Sequence, residues 1–352
     1  MIEKIILDCD PGIDDALAIA FAVGSPDIYL RGITTVAGNV GLDLTTSNAQ
    51  RVSEFVGALG VPVTPGSPAP LLRPPMDARH VHGDTGLGGA LLPPPQSRPA
   101  GGHAIDYIIE TIGADPGQIT LVATGPLTNI ALAVHRQPKL VSQVKDFVIM
   151  GGSSGRGNVT PAAEFNIAAD PEAAAIVFRA GWTVTMVGLD VTLQARATPA
   201  VRDRMRPLGL LASQLLLPGL EKYASDEDPL SARPREHGQG RDQDGDDRDG
   251  QVCAPDVADP AAADPDVADP AVHDVCAVAY VAEHGLLGCL PARVEVETMG
   301  HWTSGMTVTD FRAPAARQNA LVATAIDVRG FWDSVLAAYT SVAAGISTGP
   351  GR

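Results

Sequence analysis

Read as apolar and polar positions, the chain alternates short apolar runs with longer stretches of helical period. Ile5–Leu7 is an apolar run that stops in acidic residues and Pro11-Gly12; Ala16–Val23 then has helical character. Tyr29–Val36 reads as a strand and Thr45–Leu59 as an amphipathic helix. Ile119–Ala123 reads as a strand followed by a helix over Leu127–Val134. Phe147–Met150 is a strand ending at Gly151-Gly152, Pro171–Arg179 a helix, and Thr183–Val187 a strand. This alternation predicts an α/β fold: one open, mostly parallel sheet flanked by helices. Ligands in such folds bind beyond the carboxyl ends of the strands. The polar groups after Leu7, Ala123 and Met150 are therefore expected to meet at one edge.

The pattern breaks between Ser225 and Pro270, where Asp, Pro, Gly and Arg dominate and large apolar residues are scarce. The stretch contains an imperfect repeat, Asp256-Val257-Ala258-Asp259-Pro260 and then Asp266-Val267-Ala268-Asp269-Pro270. Such a composition buries too little apolar surface to offset its ordering entropy, so 225–270 reads as a disordered acidic insertion within a single domain spanning 1–352. Regular structure is expected again as a helix over Val275–Glu283, strands over Arg293–Glu297, Thr307–Val308 and Ala320–Ile326, and a closing helix over Phe331–Ala344.

Composition narrows the function. The formal net charge is −16, of which −10 falls between Asp226 and Pro270. An acidic chain without a Lys/Arg cluster argues against nucleic acid as a partner. No apolar stretch reaches bilayer length and the N-terminus lacks signal-peptide character, so a cytoplasmic protein without membrane association is expected. Cys9, Cys253, Cys276 and Cys289 show no C-x-x-C spacing, which makes reduced thiols the default.

The chemistry concentrates in Asp8-Cys9-Asp10-Pro11-Gly12-Ile13-Asp14-Asp15-Ala16. Strand alternation puts Asp8 and Asp10 on one side and Cys9 on the other. Asp14 and Asp15 fall in the first helical turn, where negative charge is favoured. A single capping Asp would be ordinary, but carboxylates clustered at a strand end repel one another unless a cation joins them. Oxygen donors alone suit Ca²⁺ or Mg²⁺ better than zinc. Thr128 and Asn129 read as caps of the helix that begins near Leu127.

Asp8-x-Asp10-Pro11-Gly12-x-Asp14-Asp15-Ala16 resembles the signature of the inosine-uridine-preferring nucleoside hydrolases. Further blocks follow in order: Thr35-Val36-Ala37-Gly38-Asn39-Val40; His82-Gly83-Asp84-Thr85-Gly86-Leu87-Gly88; Ala123-Thr124-Gly125-Pro126-Leu127-Thr128-Asn129; Met150-Gly151-Gly152; Gly157-Asn158-Val159-Thr160-Pro161-Ala162-Ala163-Glu164-Phe165-Asn166; and His273-Asp274. The resemblance implies a Rossmann-like nucleoside hydrolase fold and hydrolysis of the N-glycosidic bond of ribonucleosides. It also implies Ca²⁺ held by Asp10, Asp15, Asp274 and the Thr124 carbonyl, with Asp10 as general base. Asp14, Asn39, Asn158, Glu164 and Asn166 would bind the ribose hydroxyls, Asn166 counting among the catalytic residues, and Met150 would pack near the sugar. His273 would assist the leaving base. His82 has two readings, a partner of the base or a loop residue that steadies the glycine-rich turn. Relatives imply a homodimer or homotetramer. The family's aromatic lid before the His-Asp pair has no clear counterpart, since Tyr223 is followed directly by the acidic stretch.

Two other readings remain open at this stage. A Mg²⁺-dependent phosphatase of the haloacid dehalogenase type also places Asp-x-Asp after a strand, but wants Thr or Ser soon afterwards, where Pro11-Gly12 stands. A non-catalytic Ca²⁺-dependent ribonucleoside-binding protein would share the site without turnover.

Overall fold

A computed structural model describes residues 2–225 and 269–348. The sequence expectation of disorder over 225–270 lies outside the described residues except at its two ends. Nine strands form one sheet: β1 (Glu3–Cys9), β2 (Ile28–Thr35), β3 (Val63–Pro65), β4 (Ile119–Ala123), β5 (Phe147–Met150), β6 (Val184–Val187), β7 (Leu287–Val296), β8 (Thr307–Asp310) and β9 (Ala320–Ile326). Their order is β3-β2-β1-β4-β5-β6-β9-β7-β8. All pairings from β3 through β9 are parallel, and β7 runs antiparallel to both β9 and β8. The mostly parallel α/β fold expected from the sequence is the fold observed.

Alternation along β1 assigns its two faces. Ile5, Leu7 and Cys9 join the core layer shared with the helices Ile13–Gly24, Asp274–Ala282 and Val328–Thr348. Ile6 joins the opposite layer, with residues of Ala104–Ala114, Thr128–Arg136 and Pro171–Phe178. Both faces are covered, which is why the central strands read as continuous apolar runs. Between β1 and β4 the chain order reverses direction across the sheet, and the crevice at such a switch point is where doubly wound folds bind ligands.

Several elements went unpredicted. β3 has three residues and ends in Pro65, too short for a periodic signal. Helical structure also covers 199–225, where Pro207, Gly209, Pro218 and Gly219 interrupt any simple pattern. The chain absorbs these breakers with a 3₁₀ turn at Arg206–Leu208 and a wide π turn at Ala212–Leu216 before Leu217–Ser225. β7 begins earlier than expected because Pro291 is tolerated: it pairs only with Leu321 of β9, while β8 covers β7 from Arg293 onward.

The predicted cap at Thr128 and Asn129 is corrected. Neither side chain caps the helix Thr128–Arg136. Thr128 Oγ1 donates to Asp170 Oδ2 at 2.7 Å, and Asn129 Nδ2 donates to Asp8 Oδ1 at 2.8 Å and to the Thr35 carbonyl at 3.0 Å. Buried acceptors at the strand ends take these donors, because leaving such oxygens unpaired is more costly than forgoing a cap.

The closing helix Val328–Thr348 packs on Ile13–Gly24, with fully buried Phe331 and Tyr339 and a Tyr339 Oη hydrogen bond to the Leu17 carbonyl at 3.2 Å. Replacing Phe331 by Ala should destabilise the protein by about 3–5 kcal/mol. Urea denaturation should show this as a lower midpoint with an unchanged slope.

Candidate active site

The site assembles where β1, β4 and β5 end. Beyond β1 the chain turns through Pro11-Gly12 into the helix Ile13–Gly24, whose first turn carries Asp14 and Asp15. Asp15 Oδ2 accepts from Gly12 N at 2.9 Å and Asp15 Oδ1 from Thr124 Oγ1 at 2.8 Å. Asp274 opens the helix Asp274–Ala282, which packs beside Ile13–Gly24. Two helix N-termini thus bring their carboxylates together, each in the partial positive field of a helix end.

Asp14, Asp15 and Asp274 are buried, and each offers an oxygen within 4.8 Å of the others. Asp10 is not one of these three. Its Oδ2 accepts from Asn39 N at 2.7 Å, and its Oδ1 is buried with no hydrogen-bond partner among the described residues. Gly38 and Gly125 make room for this carboxylate. A Cβ on Gly38 would fall 2.1 Å from Asp10 Oδ2, and one on Gly125 2.5 Å from Oδ1. The family-implied ligand set of Asp10, Asp15, Asp274 and Thr124 therefore shares only Asp15 and Asp274 with the acidic trio, whose third member is Asp14, assigned to the sugar.

Burial governs the acids. It pushes the Asp14 carboxyl up to about 7, with repulsion from Asp15 adding to it. Burial followed by the neighbouring carboxylates pushes Asp10 and Asp274 well up, and burial raises Asp15. Asp8, behind the site, is raised to about 7 by burial against hydrogen bonds from Thr34 and Asn129. Buried carboxylates, several raised further by a neighbouring acid while Asp274 hydrogen bonds lower Asp14 and Asp15, beside an unpartnered oxygen and with only oxygen donors, fit a hard divalent cation. The nearby thiol offers nothing softer: Cys9 Sγ lies on the Thr34 carbonyl, and burial pushes its pKa far up.

The remaining predicted residues line one cavity of about 420 Å³, large enough for a small molecule. Asp14, Asn39, His82, Thr124, Met150, Asn158, Glu164, Asn166, His273 and Asp274 all face it, and buried Asp10 and Asp15 lie behind. Glu164 caps the short helix Phe165–Ala169, its Oε1 accepting from Asn166 N at 2.9 Å and its Oε2 from Gly152 N at 2.9 Å. Burial raises it to about 7. Asn166 Nδ2 donates to the Thr124 carbonyl at 2.9 Å and to the Met150 carbonyl at 3.1 Å, which leaves its Oδ1 for a ligand hydroxyl. Asn39 Nδ2 is engaged by the Asp10 carbonyl and Asp15 Oδ2.

His82 Nδ1 accepts from Ile13 N at 3.1 Å, so this ring braces the acidic turn rather than its own glycine-rich loop. Burial, then His273 and His80, hold it down at about 3. His273 Nδ1 lies 2.8 Å from Thr192 Oγ1, and burial followed by Arg196 lowers its pKa to about 4. Tyr223, which the sequence left without a role, sits between the two rings, 5.6 Å from His82 and edge-on to His273 at 6.4 Å. Arg156 also lines the cavity and was missed. Tyr223 falls in a helix broken by Pro and Gly, and Arg156 in a glycine loop, so neither carried a periodic signal.

A doubly wound sheet with buried carboxylates at its switch point, opening on a cavity lined by polar side chains, is a site for a polar small molecule beside acids that could hold a cation. The chain belongs to the inosine-uridine preferring nucleoside hydrolase family, which it matches over residues 5–333. It is 43% identical to an inosine-uridine preferring nucleoside hydrolase of Leishmania major over 97% of this chain and 99% of that one. It is 40% identical to the non-specific ribonucleoside hydrolase RihC of Salmonella enteritidis, covering 95% and 97% respectively. A purine-preferring ribonucleoside hydrolase from Gardnerella vaginalis superposes with a TM-score of 0.82 at 30% identity, covering 97% of this chain and 99% of that one. The chain is an enzyme of the nucleoside hydrolase type.

Stability should depend on pH in a direction set by the acids. Groups raised in the folded state contribute stability at low pH and lose it as pH rises through the folded value, here about 7 for Asp8, Asp14 and Glu164. The lowered histidines act oppositely, but only below their ordinary value of 6.5. Chelator-treated protein should therefore lose Tm between pH 6.5 and about pH 8, and an added divalent cation should raise Tm more at the higher pH. A Tm that climbs over that interval would contradict the assignment. Gly125→Ala should lower kcat by about 100-fold, since a displacement of the Asp10 carboxylate of order 1 Å suffices; circular dichroism would check that the fold persists.

Proposed function

We propose that the chain hydrolyses the N-glycosidic bond of ribonucleosides, releasing ribose and a free base, with Ca²⁺ as its cation. The carrying observation is the buried acidic trio with the unpartnered Asp10 Oδ1 behind the cavity, two of its members, Asp14 and Asp274, lining that cavity together with Asn158, Glu164 and Asn166. Asp10, Asp15, Asp274 and the Thr124 carbonyl would hold the ion, and the geometry favours Asp14 as a near neighbour. When bound, the ion supplies positive charge that grips the ribose 2′,3′-diol and acidifies an attacking water.

The other steps belong to the side chains. Asp10 takes the water proton at Oδ1, the oxygen left without a partner. Asn166 Oδ1, the Asn158 amide and Glu164 orient the sugar hydroxyls, and a fixed sugar brings C1′ into line with the water. Positive charge grows on the ring as the bond to the base stretches, and the surrounding carboxylates stabilise it. Water adds its oxygen and one hydrogen to C1′; a proton equivalent to its other hydrogen ends on the base. His273, at the cavity wall beside Tyr223, assists the departing base with a hydrogen bond. The reading extends to a cytoplasmic protein and, as the resemblance implies, to a homo-oligomer.

Asp10→Ala should lower ribose release from inosine and uridine by about 10²–10⁴-fold. Excess chelator should do the same and added Ca²⁺ should restore it. Removing the 2′-hydroxyl deletes half of the gripped diol, so 2′-deoxyribonucleosides should react about 10⁴-fold more slowly. Reducing-sugar assays check all three. Full turnover in chelator would overturn the proposal, and calorimetric nucleoside binding without turnover would favour a binding protein instead.

A further inference from the structure

His273 returns to the site after the chain has passed through 226–268, and a short staple receives it. Ala197 N donates to the Pro270 carbonyl at 2.8 Å and Val272 N to the Ala195 carbonyl at 3.0 Å, around an antiparallel bridge between Arg196 and Ala271. Arg196 Nη1 donates to the Asp269 carbonyl at 2.7 Å, and Arg202 lies 3.6 Å from the Asp269 carboxylate. Just ahead of this staple, the turn Leu189–Thr192 after β6 ends in Thr192, which is fully buried. Its Oγ1 lies 2.8 Å from His273 Nδ1.

A buried hydroxyl proton needs an acceptor. Among the described residues His273 Nδ1 is the one within reach of Thr192 Oγ1. The contact itself fits either direction; with the hydroxyl donating to Nδ1, a neutral imidazole carries its own proton on Nε2. Nδ1 faces the protein wall, which leaves Nε2 as the nitrogen available to a molecule in the cavity that His273 lines.

We propose that Thr192 is a positioning residue for the leaving-base step: it fixes the orientation and tautomer of His273, so that Nε2–H is presented to the departing base. This rests on the role given to His273 above. As the C1′–N bond breaks, its electron pair collects on the base. The Nε2–H hydrogen bond stabilises that charge; the base then takes a proton from solvent while Asp10 gives up to solvent the one it took from water, and the ring ends as it began. Without the Thr192 hydroxyl the ring can turn or carry its proton on Nδ1, and the donor is lost.

The test compares two leaving groups. Inosine and uridine release bases that need stabilisation, whereas 4-nitrophenyl riboside releases a phenolate stable at neutral pH. Thr192→Val keeps the shape and removes the hydroxyl. It should lower kcat on inosine and uridine by about 10–100-fold with little change in KM, while hydrolysis of the aryl riboside stays within about twofold. Thr192→Ser should restore the nucleoside rates. Equal losses on both leaving groups, or no loss on either, would overturn the proposal. His273→Ala separates the two ideas: nucleoside turnover surviving in that variant defeats the role of His273 itself, whereas its loss beside an unaffected Thr192→Val defeats only the role of Thr192. Imidazole ¹⁵N spectra of the wild-type protein, with His273 assigned by His273→Gln, give a check independent of variant folding. They should show His273 protonated on Nε2, and an Nδ1-protonated ring would overturn the proposal.

Discussion

Burying several like charges within a few ångströms of one another is the constraint around which this protein is built. Asp10, Asp14, Asp15 and Asp274 are each shielded from water, and most of them raise their neighbours' pKa values. Two features make the arrangement tolerable without an ion. Backbone N–H groups of Gly12 and Asn39 donate directly to Asp15 and Asp10. Asp14, Asp15 and Asp274 stand in the opening turns of two adjacent helices, where unpaired N–H groups carry partial positive charge. What these leave uncompensated would favour uptake of a cation, so strain in the ion-free site and affinity for a metal would have one origin.

The fold serves this constraint through topology. Because the sheet order reverses between β1 and β4, the turns after those strands are neighbours without sharing a helix above them, and the crevice stays open. Behind it, Asn129 fastens the strand ends together. Its amide reaches the Asp8 carboxylate and the Thr35 carbonyl, and its oxygen accepts from Ser67 N at 2.8 Å. The segment after Thr35 supplies Gly38 and Asn39, which hold Asp10 in place, so an amide well behind the acids governs how Asp10 presents its free oxygen. Preorganisation of this kind holds a carboxylate oxygen where a ligand can meet it without first reorganising.

The parts of this architecture that obey a short-range rule were legible in the sequence. Strands buried on both faces betray themselves as apolar runs, and β1, β4 and β5 were found with the polar groups that follow them. The acidic turn was legible because four carboxylates in so few positions have no structural purpose in common. Residues whose roles depend on distant partners were not legible. Asn129 looks like a helix cap until Asp8 and Ser67 arrive beside it. Tyr223 and Thr192 acquire meaning only when the chain returns with His273 from the far side of the acidic stretch. His82 was half legible: its place at the cavity followed from the motif, but its bond to Ile13 N required the fold.

The acidic stretch poses a sharper question, since Asp274 must join the carboxylates and His273 the cavity after so long a detour. Lengthening a loop raises its closure entropy only logarithmically, so even a long insertion penalises the ends modestly once they are fastened. Both ends are fastened here: the helix Leu217–Ser225 before the stretch places Tyr223 against His82, and the bridge at Arg196 and Ala271 secures the chain after it. The helix Asp274–Ala282 then supplies what the tether cannot, because Val275–Val281 are all buried and the helix packs against Ile13–Gly24. Asp274, the one acid of this helix, is carried into the trio by that packing. The position of the last carboxylate is thus set by apolar burial within the core.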